Sequence, residues 1–148
     1  MKERKKSSNW YIAATHFLTA GFAPSFLVNI AVSIIVRSLN ITSPIILYPV
    51  GIISCLLAIW VGVLYSANYL KKTYIIEKKE SIVNLSSVYY VLLGIVAMGF
   101  IIFTSGKGGG LFSIVYSIVF ITIQIALFYF LSMKYVSNTE VSTEIQSK

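Results

Sequence analysis

Apolar residues gather into four long runs separated by short polar breaks, at about residues 10–36, 45–70, 82–104 and 111–133. Each exceeds the roughly 18 residues that suggest a membrane-crossing helix. The first run, Trp10 to Val36, carries the clearest internal pattern. At a helical spacing of about 100° per residue, Thr15, Thr19, Ser25, Asn29, Ser33 and Arg37 fall within one arc of roughly 120°. Lipid cannot satisfy such a stripe, so it predicts a face turned toward protein or trapped water. As a helix the run measures about 40 Å, against about 30 Å of hydrocarbon. Pro24 cannot bond back to the Ala20 carbonyl, which makes it the expected place for a bend that absorbs the excess.

The second run places Gly51, Ser54, Ala58, Gly62 and Ser66 on one face, a spacing that lets helix backbones approach closely. The third sets Ser87, Tyr90, Gly94 and Ala97 on one side, and the fourth does the same with Ser113, Ser117 and Gln124. Depth matching along antiparallel neighbours sets Asn29 opposite the stretch from Gly51 to Ser54. Short breaks favour antiparallel neighbours. The expected fold is therefore an all-α integral membrane protein: four transmembrane helices in an up-down-up-down bundle, one domain over 1–135. Residues 136–148 are polar and without periodicity, and are expected to form a disordered tail.

Composition agrees with this pattern. Of 148 residues 57% are hydrophobic and 11% charged, where soluble domains carry about 25% charged residues. The net charge of +7 is unevenly placed. Lys2, Arg4, Lys5, Lys6, Lys71, Lys72, Lys78, Lys79, Lys134 and Lys148 flank one side of the runs, and only Arg37 and Lys107 the other. The positive-inside rule then predicts both termini to be cytoplasmic. Anionic headgroups are the expected partners of the basic clusters, with Tyr74, Ile75 and Ile76 lying against them. No basic groove interleaved with aromatics points to nucleic acid. The basic start followed by an apolar run imitates a signal peptide. The run continues well past the candidate cut after Ala23, so a retained anchor helix is expected.

The residues that could carry chemistry are few. There is no aspartate, and Glu3, Glu77, Glu80, Glu140 and Glu144 all lie outside the runs. A carrier coupled to protons or sodium usually keeps a carboxylate at membrane depth, and paired-carboxylate catalysis needs one there as well. One cysteine, Cys55, and one histidine, His16, cannot make a zinc or haem cage within the chain. The glycine-rich Gly106–Gly110 turn lacks both the first glycine and the hydroxyl residue of a phosphate-binding loop. No catalytic residue, cofactor or metal is expected. His16 sits about 9 Å inside the basic boundary and about 110° from the centre of the polar stripe, which sets it apart from the stripe's hydrogen bonds. His16, Asn29, Ser33 and Gln124 are the candidate polar positions within the membrane.

These features lead to a small non-catalytic accessory, scaffold or interaction module. Its expected location is a plasma membrane of bacterial type, and its expected partner a membrane protein or a second copy. The alternative is a small channel, carrier or lipid-handling protein for a neutral or amphipathic substrate, suggested by the polar stripe and the proline-broken helix.

Overall fold

The computed structural model describes residues 4–105 and 111–139. The chain forms four helices, each long and apolar enough to cross a membrane: α1 (Asn9–Ser38), α2 (Pro44–Thr73), α3 (Lys79–Ser105) and α4 (Leu111–Tyr135). Ser8 opens α1 by accepting from the Tyr11 amide at 3.4 Å. At its far end Asn40 takes φ 51°, with Asn40 N–H bonded to the Arg37 carbonyl and Ile41 N–H to that of Val36. This is a Schellman ending, and asparagine tolerates the left-handed position it requires. Pro44 then begins α2, where its missing N–H costs nothing.

Every helix outlasts its apolar run. Lys71 and Lys72 continue the last turn of α2, where cations suit the carbonyl end of the helix. Asn138 Oδ1 accepts from Lys79 N–H at 2.7 Å and starts α3 three residues before the apolar pattern does.

Within α1, residues Phe17–Phe22 form a π turn, and Ala23 N–H reaches back five residues to the Leu18 carbonyl. Pro24 follows directly. The expected bend is thus realised as a local widening of the helix, which relieves the clash of the proline ring with the carbonyl four residues earlier. A π turn carries about one residue more than an α turn. It therefore rotates everything beyond it by roughly 90° relative to a straight helix.

In the bundle, α1 packs beside α2 and, through its first turns, beside α3; α4 packs beside α2 and α3. The second and third helices lie on a diagonal. Connected helices are neighbours for α1–α2 and α3–α4, but the connection after α2 crosses the end of the bundle instead. Its five extended residues reach about 17 Å, enough for a diagonal of about 13 Å between helices 9 Å apart.

That crossing is held on both sides. Lys5 N–H donates to the Thr73 carbonyl at 2.8 Å, and Ile75 N–H donates to Lys5 at 3.1 Å. On the other flank Thr139 N–H donates to the Ile76 carbonyl at 2.8 Å, and Ile76 N–H donates to Thr139 Oγ1 at 3.0 Å. Two expectations change here. Tyr74 and Ile76 are 5% and 1% exposed, so they plug the bundle end and do not lie against headgroups. The first residues of the presumed tail, 136–139, are docked, because Val136 is buried and Asn138 and Thr139 satisfy backbone groups of the connection. Residues 140–148 and the Gly106–Gly110 turn lie outside the described residues.

The core occupies one half of the bundle only. Among the described residues, every buried side chain falls within 12–21, 55–76, 82–94 or 128–136. These stretches all belong to the basic end. Among the described residues the helix ends beyond Gly21 in α1, before Cys55 in α2, beyond Gly94 in α3 and before Phe128 in α4 contain none, and the second half of α1 packs on α2 while parting from α3 and α4.

Candidate functional site

The polar centre of the closed half is His16, fully buried between α1, α2 and α4. Its Nδ1 lies 2.8 Å from Ser66 Oγ and its Nε2 lies 2.8 Å from Ser132 Oγ. Thr19 Oγ1 is 2.7 Å from Ser66 Oγ and 2.7 Å from the Thr15 carbonyl. Four contacts share the four hydrogens of Ser132, neutral His16, Ser66 and Thr19. One arrangement satisfies them all, because a carbonyl can only accept. Thr19 donates to Thr15, Ser66 donates to Thr19, His16 donates from Nδ1 to Ser66, and Ser132 donates to Nε2. The chain of bonds assigns the tautomer and leaves neither ring nitrogen free.

The imidazole also packs on Phe128, with ring centroids 5.3 Å apart, and Tyr90 packs on Phe128 in turn at 5.0 Å. Two glycines make this possible. A Cβ on Gly21 would overlap the Tyr90 ring and stand 3.4 Å from Phe128. A Cβ on Gly62 would overlap the Ala20 carbonyl oxygen and stand 2.7 Å from Pro24 Cγ. Gly62 is thus the point of closest approach between α2 and the π turn. That approach brings Ser66, one turn further along α2, against His16 and Thr19.

The expectation that His16 stays apart from the polar stripe is overturned. Ser66 lies between His16 and Thr19, accepting from one and donating to the other, so a helix of the same bundle bridges the angular gap. The π turn also cuts the stripe in two. Thr15 and Thr19 join His16, while Ser25, Asn29, Ser33 and Arg37 swing toward the open half. In the small-residue face of α2, Ala58, Gly62 and Ser66 are buried and Ser54 is half-buried, whereas a Cβ on Gly51 would meet nothing within 4 Å. Asn29 does face α2, but through Cys55, whose Sγ donates to Asn29 Oδ1 at 3.5 Å. Its Nδ2 donates to the Ser25 carbonyl at 2.9 Å.

Above the aromatic layer, the divergence of α1 from α3 and α4 leaves a cleft of about 190 Å³. Its polar lining is Ser25, Asn29, Tyr90 and Gln124, and its apolar lining includes Phe22, Phe26, Leu93 and Ala97. Ser25 Oγ is buried and makes no hydrogen bond of good geometry. Ser33 is exposed and lies with Asn29 and Arg37 along a shallow groove that continues from the cleft on α1. Of the four polar positions expected to matter, Asn29 and Gln124 therefore meet at one cavity, Ser33 lies on its approach, and His16 is walled off below it.

Sequence reasoning missed Ser132, the second partner of His16. It stands eight residues beyond Gln124, about 80° round α4 from the face of Ser113, Ser117 and Gln124, so spacing within the helix gave no signal for it. Gly21, two residues before the candidate cut at Ala23, gave no such signal either, because its role depends on two rings from other helices. Among the described residues no cluster of three His, Cys, Asp or Glu side chains could hold a metal ion.

At the basic end Arg4, Lys5, Lys6, Lys71, Lys72, Lys78 and Lys134 are exposed, and Lys6 pairs with Glu77 at 3.4 Å across two exposed side chains. Such a pair contributes little to stability, so the surface keeps its positive field. Comparison with known proteins returned no matching family model, no matching curated protein and no matching solved structure, so the functional reading rests on this geometry.

Proposed function

We propose that this chain is a non-catalytic integral membrane module that works by binding within the bilayer, as an accessory or interaction subunit. We place it in a plasma membrane of bacterial type with its basic end and both termini on the cytoplasmic side. The observation that carries the reading is the division of the bundle into a locked half and an open half. The only ionisable group in the polar centre of the locked half, His16, has both nitrogens committed and no exposure, which suits a structural lock better than an acid–base role. The open half presents Ser25, Asn29 and Gln124 at a depth where lipid offers them nothing. Exposed lysines and Arg4 around the basic end suit anionic headgroups, at about 1 kcal/mol per cation near the surface.

A photo-crosslinking side chain at Ser33, compared with one at the lipid-exposed Val96, tests this in native membranes. A stoichiometric protein adduct at Ser33 alone supports the module; equal, protein-free labelling at both positions refutes it. Thiol labelling of cysteines introduced at Ser8 and Ser38, in a Cys55→Ser chain, reads the orientation. The second reading, a protein that handles a neutral or amphipathic substrate, is favoured by the cleft itself, which combines neutral hydrogen-bonding groups with aromatic and aliphatic walls.

A further inference from the structure

We propose that the cleft between α1, α3 and α4 is a lateral binding site for an uncharged amphiphile with a hydroxyl-bearing head, of the monoacylglycerol class. This rests on the second reading above and names its substrate class and its site.

The chemistry of the lining selects the head. Ser25 Oγ is buried and makes no hydrogen bond of good geometry, with the Tyr90 hydroxyl beside it, and Asn29 and Gln124 bring two amides to the same space. All four are neutral. The nearest cation along α1 is Arg37, about 18 Å further at helical rise, so an ionised head would find no counter-charge in the cleft. Depth selects in the same direction. Ser25 lies near the middle of the 30-residue α1, where an ion is costly and a hydroxyl paired to protein groups is tolerated. A leftover buried hydroxyl also favours a ligand that can satisfy it, since an unmade hydrogen bond at such a site costs free energy.

Shape selects the tail and the route. The volume of about 190 Å³ corresponds to about six waters, enough for a small polyol head and its first methylenes. Below, the site is blind: the Tyr90 and Phe128 rings, admitted by Gly21, separate it from the His16 lock. To the side, it opens where α1 parts from α3. There Phe22 and Phe26, stacked at 5.7 Å and 38% and 54% exposed, flank the mouth. A head hydrogen-bonded inside and an alkyl chain leaving between these rings and Leu93 uses the polar groups of the lining and its aromatic mouth. A blind floor with a side entrance is the geometry of a binding site, not of a conducting path.

The test uses the full chain in nanodiscs with a diazirine-bearing monoacylglycerol, competed by monoolein, beside a diazirine-bearing phosphatidylglycerol. Competed labelling by the first probe at 22–29 and 90–97 is expected. In Asn29→Leu/Gln124→Leu it should fall about eightfold, for two lost hydrogen bonds. Ala97→Phe, which fills the cleft, should abolish it with the melting temperature unchanged. Labelling that monoolein does not compete, or that phosphatidylglycerol matches, shows annular lipid contact and overturns the proposal. Competed labelling elsewhere on the chain overturns the site but leaves the neutral-amphiphile reading standing. No competed labelling anywhere overturns both. If the Ser33 photo-crosslinker finds a protein and monoolein fails to displace it, the cleft is a helix-docking surface and the amphiphile is rejected.

Discussion

Replacing His16 by alanine removes two hydrogen bonds, to Ser66 and Ser132, and the ring packed on Phe128. Interhelical hydrogen bonds within membranes average about 0.6 kcal/mol, so the two together contribute about 1.2 kcal/mol. Truncating a buried ring to alanine costs about 3 kcal/mol more where the site cannot collapse. The expected loss is therefore about 4 kcal/mol, most of it from packing. The hydrogen-bond share is isolated by Ser132→Ala, which removes one donor and almost no volume. In the native background it leaves Nε2 without a donor and should cost about 1 kcal/mol. In His16→Ala it should cost nothing. Ser66→Ala should cost more than Ser132→Ala, because Ser66 both accepts from His16 and donates to Thr19. The measurement is SDS-driven unfolding of the purified chain in mixed micelles, followed by circular dichroism, with the double-mutant cycle read as a coupling energy. If Ser132→Ala costs as much with alanine at 16 as with histidine, the two side chains are not coupled and the hydrogen-bonded lock is wrong. If Ser66→Ala is the cheaper serine variant, Ser66 does not bridge His16 and Thr19.

Other expectations follow from close approaches and caps. Gly62→Ala must push α2 away from the Ala20 carbonyl and Pro24, and should cost about 1–3 kcal/mol in the same unfolding assay, whereas Gly51→Ala meets nothing and should be neutral or stabilising by up to about 1 kcal/mol. Asn29→Cys should form a disulfide with the native Cys55 under mild oxidation, seen as a mobility shift that reductant reverses; Ser33→Cys should not, since it is the Asn29 side chain, one turn earlier, that reaches Cys55. Asn138→Ala removes the acceptor at the start of α3 and should cost about 1 kcal/mol, with amide exchange at Lys79 rising first. Unchanged exchange there would show that 138 does not cap α3.

The polar stripe of α1 shows why the sequence could be read only so far. Projected on a straight helix it is one continuous face. A π turn at Phe17–Phe22 divides it into a part that joins His16 and a part that lines a cleft. Pro24 pointed to a disturbance of the helix near that place, but not to its form, because a kink and a π turn answer the same missing N–H. The small-residue face of α2 was legible from spacing alone, and Gly62 is where backbone and side chain of α1 lie against it. Ser66, read as one of those small residues, is instead the bridge between two polar side chains of α1. Its hydroxyl gains that role only from the distance Gly62 permits.

Local chemistry by itself determined the four apolar helices, their approximate ends and the uneven distribution of charge. Each of these depends on hydrophobic run length, helix-ending residues and counting along the chain, so no partner helix has to be known. The placing of α2 and α3 on a diagonal, the docking of 136–139 on the connection, the sealed state of His16 and the cleft at Ser25 belong to the tertiary structure. They depend on where one helix approaches another and on which backbone groups an extended connection leaves to be paired. Those are properties of pairs of distant residues such as Gly62 with Ala20, Ser132 with His16 and Thr139 with Ile76, and no periodicity within a single segment encodes them.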